Sequence, residues 1–387
     1  MQKLIFLLML SGIFLSITAQ ASPSFVNFDR RARKGENLNI VFFGASLTWG
    51  ANSTDPQRFS YRPMTAKWME EMYPKAHFHY FDAAIGGTSS SLSVFRLQRD
   101  VLDNKPDLVF LDFSLNDNPF EVSPVFLPAY ESLLRRLILE GNVPVVQMIL
   151  VSKSMVTTDT AKDLPLFDIH RDLAVKYHIP TGDAFALIRK EIAEGRANPD
   201  VLWPSSDATH PGNPGYALYA EAAKQGFLKG VKGKMVCTAP KKMINPETYL
   251  TWSRIHLAKL PNYPFGWKAG VPNRISAYYD MLMSRWLDDE LVAVPGADPL
   301  VLKFKGTFVQ IFGESTPTAG KYRAKLDDGE WKEFDSGAIG HGAHGNAHHV
   351  AVIASDLAPN TEHTLVIEPL LKEGEELRLE SLCIAGK

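Results

Sequence analysis

From residue 37 to about residue 233 the chain alternates short apolar runs, rich in β-branched and aromatic residues, with longer amphipathic segments. The apolar runs at 38–44, 77–84, 108–113 and 143–151, with a shorter one at 179–181, read as strands. Between and after them, 61–72, 91–102, 129–140, 166–177, 184–194 and 215–228 carry helical periodicity. Alternation at this spacing predicts a parallel sheet covered by helices on both faces, because parallel strands need crossover connections long enough to hold a helix. A sheet of this kind places its chemistry at the carboxyl ends of its strands.

After residue 234 the texture changes. Residues 245–294 mix signals, with Trp252, Trp267 and Trp286 among several prolines. From 299 onward short alternating runs at 300–305, 308–312, 321–326, 349–354 and 364–369 are separated by turn residues such as Asp327-Asp328-Gly329, and 377–384 reads as a closing strand. A β-sandwich is the expectation for this part. A chain of 387 residues also exceeds what one average core serves, which favours two domains, assigned to 22–233 and 234–387.

The first 21 residues read as an address. Lys3 supplies a small positive region, 4–17 is nearly unbroken apolar sequence, and Ala19-Gln20-Ala21 is a site a signal peptidase accepts. The run is shorter than the ~20 residues a membrane-spanning helix needs, so cleavage after Ala21 and release to the periplasm or medium are expected. A formal net charge of -2 gives no footprint for nucleic acid, and the basic cluster at 30–34 is read as a solvated lead-in to the first strand. Two cysteines, Cys237 and Cys383, allow either a disulfide in an oxidising compartment or two buried thiols.

Four short segments carry chemistry. Phe43-Gly44-Ala45-Ser46-Leu47-Thr48 follows the strongest strand signal, and small residues there hold a serine hydroxyl clear of the sheet. Serine is a nucleophile only with a base in reach. Asp207-Ala208-Thr209-His210 places a carboxylate and an imidazole on one loop, where the first orients the second. Ile85-Gly86-Gly87-Thr88 and Ser114-Leu115-Asn116-Asp117 follow the second and third strands; a glycine N–H and an asparagine amide are donors for a tetrahedral oxyanion, worth ~3–4 kcal/mol each in a comparable protease.

Serine after the first strand, glycine after the second, asparagine after the third and Asp-x-x-His before the last helix together resemble the SGNH/GDSL hydrolase family over about residues 38–230. The resemblance implies a flavodoxin-like three-layer α/β/α fold. It makes Ser46 the nucleophile, His210 the general base and Asp207 its partner, with the Ser46 N–H, Gly87 and Asn116 forming the oxyanion hole. Two positions depart from the family pattern: Ala45 stands where an aspartate is usual, and Ser114 where a glycine is usual. The second domain resembles the jelly-roll companions of SGNH carbohydrate esterases, which implies O-acetyl removal from an acylated carbohydrate. Trp49 and Trp203, beside the catalytic segments in sequence, are candidate sugar-stacking walls.

Other readings share parts of this pattern: an exported O-acetyltransferase, a lipid or aryl esterase, and a non-catalytic glycan-binding protein. A nucleotide-binding fold lacks its glycine motifs here, and an α/β-hydrolase lacks the Gly-x-Ser-x-Gly elbow. His341, His344, His348 and His349 lie in or beside a glycine-rich stretch without the paired spacing of zinc sites, and are read as a loop leaning toward the cleft. No metal or cofactor is expected.

Overall fold

A computed structural model describes residues 23–157, 164–272, 287–337 and 347–387. The expected signal peptide and its cleavage site, and His341, His344 and Trp286, lie outside the described residues. Five parallel strands, β1 (Asn37–Gly44), β2 (His77–Ala84), β3 (Leu108–Leu111), β4 (Val145–Ile149) and β5 (Thr181–Asp183), form one sheet in the order β2-β1-β3-β4-β5. β3 and β4 are buried along their whole length, as expected for strands covered on both faces. Helices Ser90–Asp100 and Phe126–Leu139 pack together, while Asn213–Lys232 packs with Tyr61–Met72 and Phe25–Lys34. This is the flavodoxin-like order, whose reversal beside β1 opens a crevice at the strands' carboxyl ends.

The basic cluster at 30–34, solvated at Arg30, Arg33 and Lys34 as expected, is helical: it forms the end of the helix Phe25–Lys34 that leads to β1. Ser24 caps the helix, its hydroxyl accepting from the Asn27 N–H, and Gly35 closes it in the left-handed region. Phe25, Phe28 and Ala32 fall on one buried face. The arginines occupy the other face, where Arg31 pairs with Glu36 at 2.7 Å and with Asp107.

Among the described residues, ten strands build the second unit: β6 (Trp252–His256), β7 (Trp267–Gly270), β8 (Glu290–Ala293), β9 (Leu300–Lys305), β10 (Phe308–Ser315), β11 (Lys321–Leu326), β12 (Lys332–Asp335), β13 (Ala347–Ala354), β14 (Glu362–Leu370) and β15 (Leu377–Ala385). One sheet runs β13-β10-β15-β8-β7 with β6 also on β15, the other β12-β11-β14-β9. The sheets are antiparallel and enclose a core that includes Leu302, Val309, Ile311, Tyr322, Leu365 and Leu379. This is the expected β-sandwich.

β10 is buried at every position because both its faces are covered. Val309 and Ile311 enter the sandwich core, while Phe308 and Phe312 join the core of the α/β unit. The Phe308 ring lies 6.5 Å from that of Phe95 and 5.1 Å from that of Tyr249.

The expected boundary at 233/234 cuts through a segment that stays with the first unit. Val236 bridges Ser24, the Thr238 N–H donates to the Tyr177 carbonyl, and the N–H groups of Ile244 and Asn245 donate to Glu131 at 2.8 Å. Sandwich strands begin at β6. Both cysteines are free and buried, in place of the disulfide that the sequence allowed. Cys237 packs against Val145, and Cys383 lies beside Ser381; burial pushes the thiols up to about 12 and 11 respectively.

Candidate active site

β1, β2 and β3 are adjacent and in register, Gly44 opposite Ala84 and Phe43 opposite Leu111, so the segments that follow them leave one edge of the sheet side by side. Ser46, Gly87 and Asn116 lie just past those positions. Ser46 opens the single helical turn Ser46–Trp49, so its N–H precedes the helical hydrogen-bond ladder. The turn packs closely against Gly44: a methyl group there would come within 2.2 Å of the Thr48 hydroxyl and 2.8 Å of the Asp112 carbonyl. Gly87 has φ +72°, a conformation that costs a side-chain-bearing residue but not glycine. Asn116 is half-buried in the turn after β3.

His210 and Asp207 reach this edge from the loop before the helix Asn213–Lys232. The His210 Nε2 lies 2.8 Å from the Ser46 hydroxyl, and its Nδ1 lies 2.6 Å from an Asp207 carboxylate oxygen. The other Asp207 oxygen accepts from the N–H groups of Thr209 at 2.9 Å and His210 at 3.1 Å, which fixes the carboxylate on its own loop. Partial burial works to raise the Asp207 pKa. The His210 ring and the two backbone donors outweigh it, holding the carboxyl below its ordinary value. With Nδ1–H held by the carboxylate, Nε2 is the nitrogen free to take a proton from Ser46.

Several supporting residues carry no catalytic motif and were not singled out from the sequence. Asn52, in the left-handed region at φ 67°, donates to the His210 carbonyl at 2.8 Å and the Ser205 hydroxyl at 2.9 Å. The Asn213 side-chain oxygen accepts from the Thr54 N–H at 3.0 Å. These contacts sew the loop after the nucleophile to the loop that holds the base.

Arg62 donates to the carbonyls of Thr48 and Trp49, both at 2.7 Å, and pairs with Asp82 at 3.2 Å. Arg96 donates to the carbonyls of Ala83 and Gly44 at 2.7 and 3.0 Å, so it ties β2 to β1 where the chemistry begins. Burial lowers the Arg96 pKa to about 10 against the pull of Asp100, which still leaves it charged at neutral pH. Asp117 accepts from the Ser90 N–H at 2.8 Å, linking the Asn116 turn to the helix that follows Gly87; burial pushes its carboxyl up to about 8. Arg62 and Arg96 lie within helices and Asp117 in a turn, so no sequence pattern marks them, and their partners alone make their roles legible.

Trp49 and Trp203 are not sugar-stacking walls in this structure. They are 5% and 1% exposed, Trp49 packing with Ala51 and Ala84, and Trp203 lying in the main core. A tryptophan so placed has no free face for a ligand. His348 and His349 are strand residues of β13 and not part of a loop; His349 bonds the Tyr322 hydroxyl at 2.9 Å, and burial lowers its pKa to about 4. Among the described residues, His256, Asp288 and Glu380 bring ligand-type atoms within 4.8 Å of one another. Arg99 lies 3.2 Å from Asp288 and Arg254 lies 2.7 Å from Glu380, so guanidinium groups already balance both carboxylates. The cluster is an ion-pair network.

An α/β/α sheet of flavodoxin order, with a Ser-His-Asp relay at its carboxyl edge, defines a class of acyl-transfer hydrolases. Residues 42–218 match the model of the GDSL-like lipase/acylhydrolase family. Among solved structures, it is similar to a two-domain esterase (CEX) active on acetylated mannans, co-crystallized with mannopentaose, at 23% identity and a TM-score of 0.76. That match covers 93% of this chain and 94% of the other, so the likeness of fold extends through the sandwich. A second structure of a two-domain esterase (CEX) active on acetylated mannans matches at 21% identity, a TM-score of 0.72 and the same coverage. No curated protein matches the chain by sequence.

Proposed function

We propose that the protein is an exported serine esterase that removes O-acetyl groups from carbohydrates through an acyl-enzyme on Ser46. The observation that carries this reading is the continuous relay from Asp207 through His210 to Ser46, with its two short contacts of 2.6 and 2.8 Å. In the proposed cycle, His210 Nε2 takes the Ser46 proton as the oxygen attacks the acetyl carbonyl. The tetrahedral oxyanion is received by the N–H groups of Ser46 and Gly87 and the amide of Asn116. The C–O bond to the sugar then breaks, and His210 returns its proton to the departing sugar oxygen. Water, deprotonated by the same imidazole, attacks the acetyl-serine; acetate leaves and Ser46 is protonated again. Each step is proton transfer and acyl transfer and requires no metal.

Carbohydrate as the leaving group is supported by the neighbour of like architecture that is active on acetylated mannans. Export is supported by the charged and apolar segments ahead of Ala21, with a mature chain expected to start at Ser22. The test compares release of acetate from acetylated mannan, an aryl acetate and a long-chain ester by the parent and by Ser46→Ala. The reading expects acetylated glycan to be preferred and Ser46→Ala to lose activity by roughly 10⁴-fold or more. A preference for long-chain esters would overturn the substrate, and an active Ser46→Ala would overturn the mechanism. Transfer of acetyl to an added acceptor sugar in place of release would make the enzyme a transferase.

A further inference from the structure

We infer that His348, supplied by the sandwich, is a positioning residue of the oxyanion hole whose imidazole fixes the peptide of Gly87. The inference rests on the proposed acyl transfer and deepens it. Side chains alternate along β13: His349 points into the sandwich and bonds Tyr322 across the core, so His348 points outward, toward the α/β unit. There it meets Gly87. A methyl group added to Gly87 would come within 3.0 Å of His348 Cε1 and 3.5 Å of Nε2, so the ring lies directly over the glycine and occupies the space of a side chain. His348 is 3% exposed and sits on β13, the edge strand of its sheet, opposite Glu314 of β10.

The contact continues along the sequence after Gly87. The Gln310 side chain donates to the Ser91 carbonyl at 3.5 Å, and the Phe308 and Phe95 rings stack at 6.5 Å. The same sheet face thus supports the chain from residue 87 to residue 95. The physical need is specific to glycine. Having no Cβ, it moves readily between positive and negative φ, and its N–H swings with it. A donor that must meet an oxyanion at hydrogen-bond distance gains only if it is held there before reaction. An imidazole packed on the α-carbon supplies that restraint from outside the loop.

The test uses the full chain with His348→Ala and the ring-preserving His348→Phe, with two readouts: amide hydrogen exchange over residues 85–92, and kcat and KM on an aryl acetate. His348→Ala is expected to speed exchange over 85–92 without altering peptides around Ser46 or His210. It should lower kcat about 10- to 100-fold with KM within about twofold, below the full cost of losing a donor. His348→Phe should restore most of both. Unchanged exchange and unchanged kcat in His348→Ala would overturn the inference. So would a lower melting temperature with kcat intact, the mark of a purely structural residue, or a rise in KM alone, the mark of a substrate contact. If the parent hydrolyses no ester while exchange over 85–92 still responds, the role in an oxyanion hole fails together with the proposed function, and only the packing contact stands. Unchanged exchange in an active parent overturns His348 and leaves the proposed function intact.

Discussion

At the residue scale the site separates groups that react from groups that hold them. Asp207 spends one oxygen on His210 and the other on its own loop, so it orients the ring without moving. Asp207→Asn would keep the shape but offer the ring an amide that can donate, favouring the wrong tautomer. A fall in kcat of roughly 10⁴-fold is expected, measured at neutral pH with melting temperature as a control. Asn116→Ala should lower kcat by about 10²- to 10³-fold with little change in KM, because its amide is proposed to act only on the oxyanion. The motif residues were legible because the order of four short segments along the chain is informative even when each is weak. Arg62, Arg96 and Asn52 were not, since each works through backbone carbonyls that no sequence pattern marks.

At the element scale the parallel sheet was legible from the alternation of strand and helix periodicity, and β2 and the helix Tyr61–Met72 fall where the pattern sets them. The helix Phe25–Lys34 was hidden by its arginines, whose charge drew attention from the three apolar residues that bury it. Strands β6, β7 and β8 lie in a stretch of proline and tryptophan where strand alternation is too short to read. The stacking role assigned to Trp49 and Trp203 failed because proximity in sequence to a catalytic loop says nothing about which way a side chain faces. β10 shows the energetic consequence of facing two cores. Phe308 is 1% exposed and packs between Phe95 and Tyr249. Phe308→Ala is expected to cost about 3–5 kcal/mol, seen as a shift of the chemical denaturation midpoint with unchanged slope.

At the scale of the whole molecule, the two units are one packed body, with Phe308, Phe312, Cys383 and Ala385 of the sandwich inside the core of the α/β unit. Arg99–Asp288 and Arg254–Glu380 add charge pairs at the same place. Burial works to raise the Glu380 pKa, but the His256 ring, the Arg254 charge and the Ser381 hydroxyl lower it to about 2. A carboxyl depressed in the folded state stabilises fully above its unfolded pKa of ~4.3, and that contribution fades as pH falls toward 2. Melting temperature should therefore fall across that window more steeply in the parent than in Glu380→Gln. Equal slopes would show that Glu380 is not held by its partners. The central claim, an acyl-enzyme on Ser46, is tested most directly by acid-quenching the enzyme during turnover of an aryl acetate and mapping the acetyl group by peptide mass. The account predicts one acetyl group on the peptide containing Ser46 and none in Ser46→Ala. Turnover with Ser46 never acetylated, or with the acetyl group on another residue, would contradict it.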